Sequence, residues 1–378
     1  MRNPWTSRRR LLTALSCGVS DRVPISTYEL CGYNAKAWEN NHPSYRRLMD
    51  HIRAHTDCIA MWGPSSNGRA FASAYPVPID TTCNRDGHRT RTIQVMHTPQ
   101  GDLRRVLEND DRVYTTWTTE HWCKTFDDVG RALSVPYQPV SYDAADLARI
   151  TDEVADHGII MDSISDPAYM AADLMAFQDF TLWAFEHTEH FAHAVDVFAE
   201  RVMTNLANQL DACVVDLYRI CGPEYFTPPY LPPSVFERFV VPHVTAMTDL
   251  IHARGGKVRL HCHGKIARVL DMILDCRCDG IDPCEPPPDG DIELNHVKVR
   301  CAARPRKVSV FGNIELKLLE NGSPQQVREE VIHVMNQAKR DGGFVLMPTA
   351  APIDAILSPK TEANYIAMID TARQFGGY

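Results

Sequence analysis

Eight short, apolar segments rich in β-branched residues recur along this chain of 378 residues, and they constrain its fold more than any other feature. They lie near residues 23–27, 58–62, 158–162, 213–218, 257–261, 280–283, 307–311 and 343–347. Segments with helical periodicity separate several of them. Strands that alternate with helices pair in parallel through right-handed crossovers. The pattern predicts a single (β/α)8 barrel of the TIM type over residues 1–378, although a doubly wound sheet would produce a similar sequence.

Two of the intervening segments carry clear helix boundaries. After Ser234, apolar residues recur every three or four positions until Gly255-Gly256 ends the pattern. Ser323 followed by Pro324 is typical of a helix start, with a capping side chain and a proline in the first turn. These segments are the expected crossover helices of the barrel.

Residues 70–135 interrupt the alternation of strands and helices. Segments 91–97 and 111–118 have the composition of antiparallel strands. They predict an antiparallel hairpin region inserted after the second strand. Because the carboxyl ends of the strands form the catalytic face of such a barrel, we expect this insertion to act as a lid.

Composition and charge argue against several classes of protein. The formal net charge is -9 with both signs interspersed, whereas a nucleic-acid partner requires a concentrated basic surface. No run of about 18 apolar residues predicts a membrane span, and Asp21 ends the first apolar run too early for a signal peptide. The expected location is therefore cytoplasmic. The 12 cysteines are scattered without a CxxC pair, so we expect reduced thiols and no zinc finger.

The strongest local signal for chemistry is segment 259–264, which reads RLHCHG. It lies where a strand ends, a position that faces the active site of a barrel. His261 and His263 alternate with Cys262, so their side chains share one face while the chain is extended. Two such imidazoles can chelate Zn²⁺. The alternative is that the rings form hydrogen bonds within a polar core.

The next strand end adds carboxylates. Asp282 and Glu285 precede three prolines, 286–288, which restrict the backbone of the loop. Carboxylates at a barrel mouth bind metals or act as acids and bases. Glu285 is therefore a candidate metal ligand, and Asp282 is a candidate catalytic residue. The alternative is a loop with solvated acids, in which Asp291 caps the following helix.

Three further candidates follow other predicted strands. Glu224 and Tyr225 come after segment 213–218, and Asn313 comes after segment 307–311. Glu224 or Tyr225 would serve as a proton donor, whereas Asn313 would form a hydrogen bond with a substrate carbonyl. Each has a structural alternative, namely a surface turn with aromatic packing for the first two residues and a helix cap for Asn313.

Taken in order, these segments resemble the uroporphyrinogen-decarboxylase-like superfamily. The resemblance runs through an N-terminal helical extension at 6–15 and through 20–24, 231–236, 261–264, 310–314 and Asn364. It implies the same (β/α)8 barrel. True decarboxylases of this superfamily carry an arginine-rich signature after the first strand, whereas segment 28–34 has no arginine here. The chain looks closer to the cobalamin-dependent methyltransferases.

In that branch, zinc is bound by a His-x-Cys-Gly motif and a later cysteine. His261 matches the first ligand, His263 stands at the cysteine position, and segment 348–351 lacks the later cysteine. The resemblance then implies Zn²⁺ on His261, His263 and Glu285, which would bind and polarise an oxygen. The implied function is that of a methyltransferase or demethylase, which moves a methyl group from a small O- or N-methylated donor to a corrinoid protein.

Two other functions stay open at this point. One is a metal-independent decarboxylase or lyase that acts on a small carboxylated or aromatic substrate, with the histidines as acid and base. The other is a binding protein that uses the same pocket without turnover. The barrel fold does not decide among them. The partners considered are a small-molecule substrate, a corrinoid protein and a second copy of the chain.

Overall fold

The strands form one curved parallel sheet and two antiparallel sheets in the computed structural model, which describes residues 5–378. Within that range the strands are β1 Cys58–Met61, β2 Ser65–Ser66, β3 Ile79–Asp86, β4 Arg89–Thr98, β5 Gly101–Asp110, β6 Thr116–Glu120, β7 Tyr142–Asp143, β8 Gly158–Ser165, β9 Leu217–Cys221, β10 Lys257–Cys262, β11 Gly280–Pro283, β12 Ser309–Ile314 and β13 Phe344–Pro348.

Most connections between the strands are helical. The helices are α1 Ser7–Leu15, α2 Arg46–His55, α3 Phe126–Leu133, α4 Leu147–Val154, α5 Pro167–Ala172, α6 Phe177–Glu186, α7 Thr188–Ala212, α8 Pro233–Phe239, α9 Val241–Ala253, α10 Leu270–Asp275, α11 Leu294–Ala302, α12 Leu316–Asn321, α13 Pro324–Ala338 and α14 Pro359–Phe375. As expected, Ser323 caps α13, and its hydroxyl accepts a hydrogen bond from the Gln326 amide. Within residues 5–378, no helix is both long and apolar enough to cross a membrane.

The parallel sheet closes on itself. Seven strands follow one another in the order β1-β8-β9-β10-β11-β12-β13. Residues 24–26 occupy the eighth position, because the amide of Ser26 donates to the Leu346 carbonyl at 2.9 Å and the Leu346 amide donates to Pro24 at 3.0 Å. On the other side, the Asp57 amide donates to Ile25 at 2.7 Å. This closed ring confirms the predicted barrel.

The interior of the barrel and the layer between strands and helices form two separate apolar clusters. Ile59, Leu217 and Val345 belong to the interior cluster, to which Leu11 and Leu15 of α1 also contribute. The N-terminal helix therefore covers the amino-terminal end of the barrel. The larger cluster lies under the outer helices.

A buried carboxylate holds this cover in place. Asp57 is fully buried and accepts hydrogen bonds from Arg10 at 2.6 Å, from Arg22 at 2.7 Å and from the Ile25 amide at 2.9 Å. Two guanidinium groups and a backbone amide compensate the charge, as a buried carboxylate requires. Asp57 thus joins α1, the 24–26 segment and the start of β1.

The predicted insertion is a four-stranded antiparallel sheet in the order β3-β4-β5-β6. All of β3 is exposed, whereas Met96 and Leu103 of the central strands are buried in the larger cluster. The Tyr114 amide donates to the Ile353 carbonyl at 2.6 Å, which joins the insertion to the loop after β13. The insertion therefore borders the carboxyl-terminal face, and its action as a lid stays a prediction.

One predicted strand is displaced along the chain. A strand was expected at 213–218, but α7 continues to Ala212 and β9 begins at Leu217. Asp216 accepts hydrogen bonds from the Arg8 side chain at 2.8 Å and from the Ile160 amide at 3.0 Å. These contacts keep the segment between α7 and Leu217 in a loop, although its valines are typical of a strand.

Candidate active site

The carboxyl ends of β9 to β12 bring several predicted residues together. His261 of β10 lies opposite Asp282 of β11 in the register of the parallel pair. Because alternate residues of a strand point to the same side, Arg259 and His261 share one face. The Arg259 guanidinium lies 5.2 Å from the ring of Phe311, which belongs to the interior cluster, so this face is the barrel interior.

A buried carboxylate links His261 to Arg259. Asp282 Oδ2 lies 2.9 Å from His261 Nδ1, and Oδ1 lies 2.9 Å from Arg259 Nε as an ion pair without hydrogen-bond geometry. Burial opposes ionisation of Asp282, but the charges of Arg259 and His261 hold its pKa well below the usual range. Asp282 is therefore an anion that fixes the His261 ring through Nδ1.

His263 has a carboxylate partner of its own. Its Nδ1 lies 2.9 Å from Glu285 Oε1, while Glu285 Oε2 accepts a hydrogen bond from the Gly264 amide at 2.6 Å. Desolvation disfavours the charged form of His263, but the hydrogen bond and the charge of Glu285 outweigh it and raise its pKa. Desolvation likewise opposes ionisation of Glu285, yet His263 lowers the pKa of that carboxyl. The pair is ionic, so His263 keeps its proton to a higher pH than an ordinary imidazole.

The two imidazoles are direct neighbours. Their ring centroids are 4.5 Å apart, and the ring planes are nearly perpendicular at 88°. Both rings use Nδ1 for a carboxylate, and among the described residues neither Nε2 atom has a hydrogen-bond partner. Both Nε2 atoms are thus unpaired in the described part of the chain; the His263 side chain is 34% exposed, whereas His261 is 5% exposed.

Glu224 and Tyr225 lie in a short 3-10 helix, Pro223–Phe226, directly after β9. Glu224 Oε2 accepts a hydrogen bond from the Gly222 amide at 2.9 Å, and its charge is a further, smaller cause of the raised pKa of His263. Tyr225 packs edge-on against Tyr169 at 4.9 Å, and burial raises the pKa of its hydroxyl. Glu224 therefore acts on His263 electrostatically, whereas Tyr225 belongs to an aromatic wall.

Asn313 lies at the end of β12 and supports the neighbouring loop. Its Nδ2 donates to the Cys284 carbonyl at 2.9 Å, one residue before Glu285. Its Oδ1 is buried and has no hydrogen-bond partner among the described residues. Since an unpartnered buried acceptor is unfavourable, a donor group on a ligand would satisfy it.

Two residues that the sequence did not single out, Arg219 and Tyr28, also lie in the interior of the barrel. The Arg219 guanidinium lies 5.3 Å from the Tyr28 ring and forms an ion pair with Glu29 at 3.1 Å. The Tyr28 ring is 6.1 Å from that of His261. Arg219 stands directly opposite Arg259 in the register of β9 and β10. For Arg259, strand alternation was the available signal, because this residue precedes His261 by two positions and so faces the same side.

The donor groups do not form the zinc site that the sequence predicted. Glu285 uses both carboxylate oxygens, one on His263 and one on the Gly264 amide, so it is not free to serve as a third ligand. Over residues 5–378, no group of three or more His, Cys, Asp or Glu side chains is arranged to hold a metal ion. Because catalytic zinc usually has three protein ligands, the residues as placed do not fit this ion. Zinc binding stays a prediction.

A family model described as Uroporphyrinogen decarboxylase (URO-D) matches residues 121–375, which is more than half of the chain. The chain belongs to this family. The URO-D match includes β8 to β13 and therefore both histidines and both carboxylates of the candidate site.

Similar proteins include methyltransferases. The methylcobamide:CoM methyltransferase MtaA of Methanosarcina barkeri (strain Fusaro / DSM 804) is 25% identical over 122 residues, which is 32% of this chain. The match spans only about a third of that relative, 34% of its length. A methyltransferase from Methanosarcina mazei has a TM-score of 0.62 and 16% identity, covering 98% of this chain and 99% of that one. This similarity shows a common fold.

A more distant structural similarity is to a B12-independent methionine synthase from Shewanella sp. W3-18-1. Its TM-score is 0.46 at 11% identity, and the alignment covers 93% of this chain and 97% of that one. The curated relative is a methyltransferase, which agrees with the branch of the URO-D family expected from the sequence.

Proposed function

We propose that this URO-D family protein is an enzyme that transfers a methyl group from a small O- or N-methylated donor to a corrinoid carried by a partner protein. The name of its curated relative, a methylcobamide:CoM methyltransferase, supports this reaction class. The observation that carries the proposal is the His263–Glu285 ion pair beside His261. A methyl donor that loses its methyl group leaves a basic oxygen or nitrogen, and that atom requires a proton.

The transfer breaks the bond between the methyl carbon and the heteroatom of the donor. The bonding electron pair stays on the oxygen or nitrogen, and the corrinoid supplies the pair for the new bond to cobalt. As this bond breaks, the imidazolium of His263 gives its proton to the heteroatom, and general acid catalysis of this kind contributes about 10²- to 10⁴-fold. Glu285 stabilises the imidazolium before the transfer.

We assign His261 to positioning of the donor. Its Nδ1 is held by Asp282, which is itself paired with Arg259. A ring anchored in this way presents Nε2 in one fixed direction, and such fixed geometry accelerates a transfer between two bound groups. In this proposal Glu224 adds negative charge near His263, and Asn313 Oδ1 accepts a hydrogen bond from the donor.

The test is formation of methylcobalamin from chemically reduced cobalamin and a series of donors, namely methanol, methylamines and methoxylated aromatic acids. We expect one donor class to be active and His263→Gln to lower its rate about 100-fold or more. Arg47→Gln, which changes a surface side chain that is 77% exposed, is the matched control. Failure of every donor, with free cobalamin and with a corrinoid protein, would contradict the proposal, as would an unchanged rate in His263→Gln.

Metal analysis of the same preparations tests the zinc prediction separately. The purified protein is compared with a His261→Ala/His263→Ala variant. Equal zinc content in the two proteins would exclude these residues as ligands. The proton-transfer role of His263 predicts that chelator treatment leaves the rate unchanged.

A metal-independent decarboxylase or lyase is the second candidate, and the position of Arg219 favours it. Arg219 and Arg259 place two guanidinium groups in the interior; Arg259 is paired with the buried Asp282, whereas Arg219 is paired with Glu29, whose side chain is 40% exposed. Arg219 is therefore suited to exchange this exposed partner for a substrate carboxylate. This candidate predicts release of CO₂ without a corrinoid and a raised KM in Arg219→Gln.

A further inference from the structure

A cavity of about 350 Å³ lies beside the barrel at the carboxyl end of β8. Its walls come from the connection after β1, from β8 and from α5, α7 and α9. The exposed residues Ser66 and Gly68 lie at its border, so small solutes can reach it from solvent. Small-molecule sites occupy about 300–1,000 Å³, which places this cavity at the small end of that range.

Most of the cavity wall is apolar. Met170 of α5, Val202 and Leu206 of α7 and Met247 of α9 face it. The methionine thioethers are flexible and polarisable, so they adapt to alkyl groups of different shape. The wall is therefore suited to a small ligand with an alkyl surface.

One buried carboxyl group lies in this wall, together with several neutral polar side chains. Asp162 is 9% exposed, and its Oδ1 accepts a hydrogen bond from the Ser163 amide at 2.8 Å. Gln209 Nε2 donates to its Oδ2. Among the described residues, no Lys, Arg or His lines the cavity. Asp162 thus has neutral hydrogen-bond partners and no counter-charge.

This environment leaves the carboxyl group poised for a cation. Burial raises the pKa of Asp162 to about 7, because the charged form is poorly solvated there. A positive charge in the cavity would favour the ionised form, since a buried charge is tolerated when it is paired.

We propose that this cavity binds a small organic cation of the alkylammonium class, with its charge against Asp162 and its alkyl groups against Met170, Leu206 and Met247. The charged end of the site lies on the outer side of the sheet, where Asp162 contacts Gln209 of the outer helix α7. Ser163, the next residue of β8, also lines the cavity and contacts Cys221 of β9 at 3.4 Å. The proposal does not depend on methyl transfer.

Isothermal titration with choline and with its neutral isostere 3,3-dimethyl-1-butanol tests this inference on the full-length protein. We expect choline to bind at least about tenfold more tightly than the alcohol, a difference of about 1.4 kcal/mol. Asp162→Asn keeps the shape of the side chain, and the Gln209 amide can turn to accept its N–H. This variant should lose the preference for the cation.

Two further variants complete the experiment. Met170→Trp should weaken binding of both probes by filling the cavity. Asp166→Asn is the matched control, because Asp166 is also a buried aspartate whose pKa burial raises to about 7, but it does not line the cavity. It should bind choline as the unmodified protein does. Equal affinity for choline and the alcohol, undiminished choline binding in Asp162→Asn, or no binding of choline at all would overturn the inference.

Discussion

At the scale of single residues, the carboxylates that bind the two imidazoles of the site differ in their second partner. Asp282 is buried and paired with Arg259, a cation that does not titrate near neutral pH. Among the described residues, the Glu285 carboxylate accepts hydrogen bonds from His263 and from a backbone amide, so the charge of its side-chain partner changes with pH. Asp282 therefore keeps a permanent positive partner in Arg259, whereas the His263–Glu285 pair responds to protons.

Glu285→Gln should lower the pKa of His263, because the hydrogen bond to Glu285 is the main cause that raises it. The folded-state pKa of His263 is raised above its unfolded value, so the stabilisation is complete below the unfolded pKa and is lost as pH rises through the folded pKa. The difference in stability between the two proteins should therefore shrink at high pH. Histidine NMR titration and urea unfolding at several pH values measure both effects. An unchanged His263 titration would contradict this prediction.

Asp162 changes stability with pH in the same direction, because its pKa is also raised in the folded protein. Its pKa is about 7 in the folded protein, whereas an unfolded aspartate has a pKa of about 3.9. The folded state holds a proton that the unfolded chain releases, so the free energy of unfolding falls as pH rises from about 4 to about 7. Asp162→Asn should make the fall of the unfolding free energy with pH shallower by the contribution of one proton. Above neutral pH the variant should therefore gain stability relative to the unmodified protein. Urea unfolding across this range is the measurement, and identical slopes would argue against it.

At the scale of elements, close approach of strands limits which residues fit. Gly158 starts β8 opposite Cys58 of β1. A Cβ atom at position 158 would lie 1.9 Å from the Cys58 carbonyl oxygen, which is backbone and cannot move aside alone. The absence of a side chain at this position is therefore a condition for pairing of the first two strands in the parallel sheet.

Gly158→Ala should destabilise the protein by about 1–3 kcal/mol, the usual range for overpacking. The control is Gly130→Ala in α3, where nothing lies within 4 Å of the added Cβ. There we expect a gain of about 0.5–1 kcal/mol, because alanine loses less conformational freedom on folding than glycine. Urea unfolding of the three proteins gives both values. Equal stability of the two variants would show that this strand contact relaxes freely.

At the scale of the whole molecule, closure of the barrel depends on residues far apart in the sequence. Asp57 binds Arg10 and Arg22 and also the amide of Ile25. It therefore joins the covering helix α1 to the place where residues 24–26 complete the ring. Removing this carboxylate leaves two guanidinium groups without their shared partner, and Arg10 is only 5% exposed.

Asp57→Ala should consequently lower the free energy of unfolding by about 3 kcal/mol or more, since Arg22 loses its carboxylate partner and Arg10 keeps only its ion pair with Asp21. Arg47→Ala is the control, because Arg47 forms an exposed ion pair with Glu362. Its effect should stay within about 0.5 kcal/mol. Chemical denaturation followed by circular dichroism measures both variants. Comparable losses in the two would show that the Asp57 network does not hold the barrel closed.

Much of the architecture could be predicted from sequence alone, because it depends on neighbours along the chain. Strands at 280–283 and 343–347 and the Ser323 cap follow from local patterns, and they occur at or within one residue of the predicted places. Alternation likewise predicted that His261 and His263 would share a face. Local pattern failed at 213–218, where contacts of Asp216 with Arg8 and Ile160 hold the chain outside the strand.

Tertiary structure alone decided how the polar groups pair. Asp282 and Glu285 lie three residues apart, yet one holds His261 and the other holds His263, so Glu285 is a partner of a histidine instead of a free ligand. Arg219 meets Glu29, 190 residues away in the sequence. Periodicity fixes which side of a strand a residue faces. The distance between two side chains on different strands depends on closure of the ring and on packing across it, which no local pattern encodes.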